Sequence, residues 1–182
     1  MELRLRRPER SDLDIIVDWM GDAEFRHFLF GDTGPRPQHM GQQVLGVMSS
    51  ALAIPMASAG NLLLEDDAAG TIGIVMLQDV SWRNRSCFLA LYLAAEHRNG
   101  ETIARATDTV FTYCFEELNL HRAAMRVEAG QTEYAQACTQ AGAVREFVMP
   151  GHAQRDGKPV DVHGYGVLRA EFDARRNVAA GA

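Results

Sequence analysis

Residues 96–115 read EHRNGETIARATDTVFTYCF, and from Phe115 the chain continues FEELNLHR to Arg122. After Gly100, the residues Ile103, Thr107, Val110, Phe111, Cys114, Phe115 and Leu118 recur at spacings of three and four. That is one stripe of a 3.6-residue helix, and it predicts a helix packed on a sheet. Upstream, Phe88–Leu93 is an apolar run too short for a helix and bounded by the polar WRNRS and EHRNG segments, which predicts a buried strand. After FEELNLHR come an apolar strand and an alanine-rich helix ending at Gly142. The unit is strand, glycine loop, helix, strand.

Such a loop has a chemical use. The first N–H groups of a helix lack intrahelical partners, and the helix dipole places about half a positive charge there. Gly100 lets backbone approach a phosphate closely, and Arg98 beside it adds a cation.

The flanking segments supply the other elements. Residues 3–20, LRLRRPERSDLDIIVDWM, begin with a strand and then place Ser11 and Asp14 as a capping pair for a first helix with Ile15, Ile16, Trp19 and Met20 inward. Phe25, Phe28, Leu29 and Phe30 run into a turn of Gly31, Asp32, Gly34 and Pro35, and a second helix is expected over Gln38 to Ala53. Asn61–Leu64 and Thr71–Leu77, joined by DDAAG, read as a hairpin, and WRNRS makes the next turn.

From LRLRRPERSDLDIIVDWM through GTIGIVMLQDVSWRNRS and FEELNLHRAAMRV to VDVHGYGVLRAEF, the chain resembles the GNAT superfamily of N-acetyltransferases. It is most similar to the ribosomal-protein and spermidine acetyltransferase branch, with Asp161 and Tyr165 on that branch's aspartate and tyrosine. The resemblance implies an α/β fold with a strongly bent mixed sheet and helices on both faces. Residues 1–182 would form a single domain with a frayed tail after about residue 173. Acetyl-CoA would sit where the fourth and fifth strands splay apart, against Leu91, Leu93, His97, Arg98, Asn99, Gly100, Glu101, Thr102, Ile103 and Gln131. A backbone N–H near Leu93 would polarise the thioester carbonyl for direct transfer to a primary amine of a small molecule or a peptide N-terminus.

Several positions depart from the family pattern. The pyrophosphate loop keeps Gly100 but has Thr102 where a second small residue is usual, with the Thr102 N–H and hydroxyl expected to remain as donors. Gln131 replaces the asparagine that meets the pantetheine arm, and Cys138 replaces the tyrosine that protonates the departing thiolate. Tyr134, one helical turn earlier, is the other candidate acid. The customary glutamate of the fourth strand is Phe88, leaving Glu24, His27, Asp79 and His163 as side chains able to accept a proton.

Composition narrows the function classes. A 182-residue chain that is 47% hydrophobic can bury one sizeable core. The net charge of −6 disfavours general nucleic-acid binding and favours a cationic acceptor. The charged N-terminus and the absence of a bilayer-length apolar run argue against a signal peptide and a membrane span, and three unpatterned cysteines fit the cytoplasm. Cys87, Cys114, Cys138 and the six histidines show no metal spacing. His121 and Arg122 read as a helix-end pair, and Trp82, Arg83 and Arg85 as a solvated turn. Two rivals to the enzyme are a degenerate acyl-CoA-binding module without turnover and a dimerisation unit pairing through VDVHGYGVLRAEF. The acceptor has no readable code, although Met40, Met48 and Met56 would suit an adaptable apolar wall.

Overall fold

A computed structural model describes residues 2–32 and 60–180. The strands are β1 (Leu3–Arg6), β2 (Gly60–Asp66), β3 (Gly70–Ser81), β4 (Ser86–Leu93), β5 (Arg122–Glu128), β6 (Val144–Arg155) and β7 (Lys158–Leu168), and they form one sheet in the order β1-β2-β3-β4-β5-β7-β6. Tight turns join β2 to β3, β3 to β4 and β6 to β7, so these neighbours are antiparallel. Among the described residues only β4 and β5 are parallel. A parallel pair needs a crossover, and α3 (Gly100–Thr112) provides it. The strongly periodic segment therefore dictates the direction of β5.

The β4–β5 ladder is short. It joins Ser86–Leu89 to Arg122–Met125 and stops. Beyond it, β4 stays on β3 as far as Leu93, and β5 stays on β7 as far as Glu128. The sheet thus opens between its fourth and fifth strands.

Alternation along the strands sends side chains into two layers. Leu62, Leu64, Leu91 and Leu93 enter a large core with α3, α4 (Thr132–Gln140) and α5 (Arg169–Ala180). Leu63 and Tyr92, one position out of phase, pack with Ile16 and Trp19 of α1 (Leu13–Trp19) and Phe25 of α2 (Ala23–Phe30). Both faces of the sheet are covered. Gly73 lies opposite Leu93, where a Cβ would stand 2.3 Å from the Tyr92 carbonyl, so β3 and β4 approach closely beside the opening.

Several expectations change. Phe25–Phe30 form α2, whose N-cap Asp22 accepts from the Glu24 N–H at 2.9 Å. The helix expected over Gln38 to Ala53, including Met40 and Met48, and the residues Gly34, Pro35 and Met56 lie outside the described residues. The capping box is built by Glu9 and Asp12, with the Glu9 N–H on Asp12 Oδ2 at 2.6 Å, and Ser11 is not the cap. The α3 stripe reaches Phe115 through a widened turn, Tyr113–Glu117, that keeps Cys114 and Phe115 buried. Arg122 begins β5 and pairs with Glu146, while the Arg85 guanidinium donates to the Asn119 backbone and side-chain oxygens at 2.7 Å.

The chain is helical beyond residue 173. It continues as α5, anchored by the fully buried Phe172, whose ring lies 5.2 Å from Phe115 and 6.4 Å from Phe111. Arg175 pairs with Asp108 and Arg176 with Glu116. The polar composition of the tail is the outer face of a helix with an aromatic anchor.

Replacing Phe172 by Ala is expected to cost about 3 to 5 kcal/mol in urea unfolding, the range for an aromatic lost from a core. A second expectation concerns Asp12, whose oxygens accept from Arg6 at 2.6 and 2.7 Å. Arg6 holds the Asp12 and Glu65 carboxyls below their ordinary values of 3.8 and 4.5. Their contribution is complete above those values and is lost as pH falls through the lowered folded ones. Asp12→Ala should therefore cost about 1.5 to 3 kcal/mol at pH 7. Unfolding curves of the variant and the parent should converge as the pH is lowered below about 4.

Candidate active site

The opening between β4 and β5 continues into a cleft of about 910 Å³. Its walls include Leu91 of β4, Val127 of β5 and Tyr134 of α4. The divergence leaves backbone groups without ladder partners. Because the Ala94 N–H donates to Ile72 on the β3 side, the alternate residues Leu91 and Leu93 direct their N–H and C=O groups toward the opening.

The Leu93 groups are both used. Its carbonyl accepts from Arg98 Nε at 3.1 Å and Nη2 at 3.0 Å. Its N–H reaches the Tyr134 phenol, which is 8% exposed. Desolvation pushes that phenol up to about 12, against the opposing pull of Arg98 and the Leu93 N–H. Tyr134 is therefore a protonated donor inside the cleft at neutral pH.

Cys138 takes the other direction. It is fully buried, its thiol lies 3.6 Å from Met125 Sδ, and burial pushes it up to about 12. One turn of helix separates the two candidates, and the structure brings only Tyr134 to the cleft.

Just past this same end of β4, Asn99 caps α3 by accepting from the Thr102 N–H at 3.0 Å. The Thr102 N–H is therefore already committed, contrary to expectation. The Ile103 N–H is also taken, by the Asn99 carbonyl, so the donors of the first turn are Gly100 and Glu101. Gly100 has no left-handed backbone, and a Cβ there would meet only Glu133 Oε1, at 3.8 Å. Its own chain does not require a glycine; the open space suits a ligand backbone or phosphate. The Glu133 carboxylate lies beside the same helix end.

Arg98 does not point outward as a free phosphate cation. Besides Leu93 it pairs with Asp22 and lies 5.3 Å from the Tyr92 ring centroid. Burial pushes the Asp22 carboxyl up, but Arg98, the Glu24 N–H and the Tyr92 hydroxyl together hold it below its ordinary value. His97 forms the short turn before the loop, and its carbonyl accepts from the Asn99 N–H at 3.0 Å. Gln131 Oε1 accepts from the Glu128 N–H at 3.3 Å, which leaves its amide N–H groups as what it offers a cofactor.

Polar groups gather where α2 crosses the opening. His27 Nε2 lies 2.6 Å from Glu128 Oε1, and Arg155 joins Glu128 Oε2 at 2.9 Å to Glu24 Oε1 at 2.5 Å. All four line the cleft. Of the other candidate proton acceptors, Asp79 is an exposed partner of Arg126 at 3.1 Å. His163 neighbours the cleft-lining Val162 along β7 and so faces the opposite side of the strand. Phe88 is covered by Arg126, 4.0 Å from its ring centroid, so no carboxylate replaces the missing glutamate there. Asp161 accepts from the Gly151 N–H at 2.8 Å, and Tyr165 is buried in the main core.

Glu128, Arg155 and Asp22 escaped the sequence reading. Glu128 ends β5, and ligands of open α/β sheets bind beyond strand carboxyl ends, a rule that singles it out once β5 is placed. Asp22 has the signature of a helix N-cap. Arg155 carries no local signal, because its partners are distant in sequence.

Among the described residues no group of histidine, cysteine or acidic side chains could hold a metal, and no helix is long and apolar enough to cross a membrane. A family model described as an acetyltransferase (GNAT) domain matches residues 2–144. No curated protein matches the chain. Among solved structures, the spermidine N-acetyltransferase of Vibrio cholerae in complex with CoA and spermine is similar, with 20% identity, a TM-score of 0.77, and coverage of 94% of this chain and 98% of that one. A chimera of that Vibrio cholerae enzyme and hSSAT gives 20% identity, a TM-score of 0.78, and coverage of 94% and 98%. The bent sheet open between β4 and β5 and the matching family model lead to one assignment: the chain belongs to the GNAT acetyltransferase family, acetyl-CoA-dependent N-acetyltransferases.

Proposed function

We propose that residues 1–182 form one domain that transfers the acetyl group directly to a primary amine of a small molecule or a peptide N-terminus. The observation that carries this reading is the position of Tyr134, a buried phenol held by the Leu93 N–H, which β5 leaves without a ladder partner, inside the β4–β5 opening. A proton donor and backbone donors face one space, as acyl transfer from a thioester requires. The Gly100 and Glu101 N–H groups receive the pyrophosphate, displacing the Glu133 carboxylate. The Gln131 amide meets the pantetheine arm.

The Leu91 N–H, beyond the last paired residue of β4, polarises the thioester carbonyl, while Leu93 holds the Tyr134 phenol. Tyr134 then protonates the departing thiolate. Holding both reactants in one cleft supplies up to about 7 to 11 kcal/mol of barrier reduction, and the positioned acid adds about 10²- to 10⁴-fold. Free, buried Cys87, Cys114 and Cys138 are compatible with a cytoplasmic location, and exposed Val144 and Val148 on edge strand β6 with pairing of two copies through the β6–β7 hairpin.

Isothermal titration should show acetyl-CoA binding that Gly100→Trp weakens at least about tenfold, a loss of about 1.4 kcal/mol, with unchanged thermal unfolding. Unaltered affinity in the folded variant would remove the loop from the site. In a transfer assay against an amine panel, Tyr134→Phe should lower kcat by about 10²- to 10⁴-fold without changing acetyl-CoA affinity. Cys138→Ala should leave kcat within about an order of magnitude. Tyr134 should impose no basic limb on the rate until the pH approaches about 12.

A further inference from the structure

The proposed reaction leaves one proton unassigned. An alkylamine reaches the enzyme as an ammonium, since a lysine-like amine has a pKa of about 10.4, and only its neutral form can attack a thioester. Phe88, packed beneath Arg126, stands where the family's usual strand-four carboxylate would be. The polar cluster beneath α2 lies in the same cleft as Tyr134. It is near enough for the charge of Glu24 to act on the Tyr134 phenol.

Within that cluster, His27 is 14% exposed and Glu128 is 16% exposed at the side chain. The 2.6 Å separation of His27 Nε2 and Glu128 Oε1 requires a shared proton. The second oxygen of Glu128 is held by Arg155, which orients the carboxylate. The hydrogen-bond network therefore assigns the Nε2–H tautomer to neutral His27 and leaves the lone pair on Nδ1. Nδ1 is 3.9 Å from Asp32 Oδ1, beyond hydrogen-bond reach. The Asp32 carboxylate is itself occupied by the Asp156 and Gly157 N–H groups, at 2.9 and 2.6 Å.

Resting on the transferase reading, we propose that His27 is the catalytic base that takes the acceptor's proton at Nδ1, with Glu128 as the positioning residue that fixes its tautomer. Among the described residues the charged groups facing His27 are Glu128 of β5, Asp32 after α2, and the Glu24–Arg155 pair of α2 and β6. Three carboxylates and one guanidinium thus surround the imidazole. Imidazole is also the side chain that ordinarily changes charge between about pH 5 and 8.

The steps balance. The ammonium gives one proton to His27 Nδ1, and its nitrogen then forms the N–C bond to the acetyl carbon. The C–S bond breaks, the thiolate takes the Tyr134 phenol proton, and the surplus proton on nitrogen restores the phenol. One proton leaves through His27 to solvent. The products are the N-acetyl amine and free CoA.

The test uses the full chain with acetyl-CoA and two primary amines, butylamine, an ammonium at pH 7, and trifluoroethylamine, which is neutral there. His27→Gln should lose about 10²- to 10⁴-fold in kcat/KM for butylamine and less than about tenfold for trifluoroethylamine, with acetyl-CoA affinity unchanged. The butylamine pH profile of the variant should, unlike the parent's, simply follow the amine's own ionisation and keep rising toward about pH 10.4. Glu128→Gln should lose less than His27→Gln on butylamine and spare trifluoroethylamine, because an amide oxygen can still accept from the His27 Nε2–H. Equal losses on both amines, or a butylamine pH profile unchanged from the parent's in folded His27→Gln, would overturn the base assignment while leaving the transferase reading in place. Failure of the parent protein to acetylate either amine while binding acetyl-CoA would overturn both.

Discussion

The parting of β4 from β5 after Leu89 and Met125 governs this protein, because a strand that leaves its neighbour must find other partners for its backbone. The Leu93 carbonyl finds Arg98 and its N–H finds Tyr134. In meeting those demands the chain brings a guanidinium, a phenol and the glycine-fronted end of α3 to one opening. The active site is thus the set of groups that repair a break in the sheet, with Leu91 left facing the gap.

The same break needs a brace. Asp22, at the head of α2, is bonded to Arg98 and to the Tyr92 hydroxyl on the β4 side. Glu24 and His27, two and five residues on, reach Arg155 and Glu128 on the β5–β6 side. Asp32 then accepts from the turn between β6 and β7. The helix therefore spans the opening with polar contacts at both margins, while Phe25 packs beneath it against Trp19 and Tyr92. Apolar packing sets the position of α2, and charged contacts set its relation to the two halves of the sheet.

These contacts explain the uneven legibility of the site. Gly100 and Asn99 are local signals, a glycine and an N-cap at the head of a periodic helix, and both occupy the positions their spacing implies. Tyr134 and Cys138 sit one turn apart on α4 and both satisfy the chemistry of a proton donor, so residue type alone does not separate them. Their burial separates them: the thiol faces Met125 in the core and the phenol faces Leu93 in the gap. Arg98 shows the reverse case, a cation in the expected loop turned inward by the unpaired carbonyl five residues earlier.

The sequence by itself determined what repeats within a turn of helix or a stretch of strand: the α3 stripe, the β2–β3 and β3–β4 turns, the buried β4, and the crossover that makes β5 parallel. Those patterns follow from side-chain periodicity and turn chemistry, which act over a few residues. Tertiary structure alone decided that the tail becomes a helix, since Phe172 needs Phe111 and Phe115 to bury against. It also decided the cluster of Glu24, His27, Glu128 and Arg155, whose members are separated by as many as 131 positions in sequence. No local pattern encodes such contacts, because their energy exists only when distant strands and helices have been brought to the same opening.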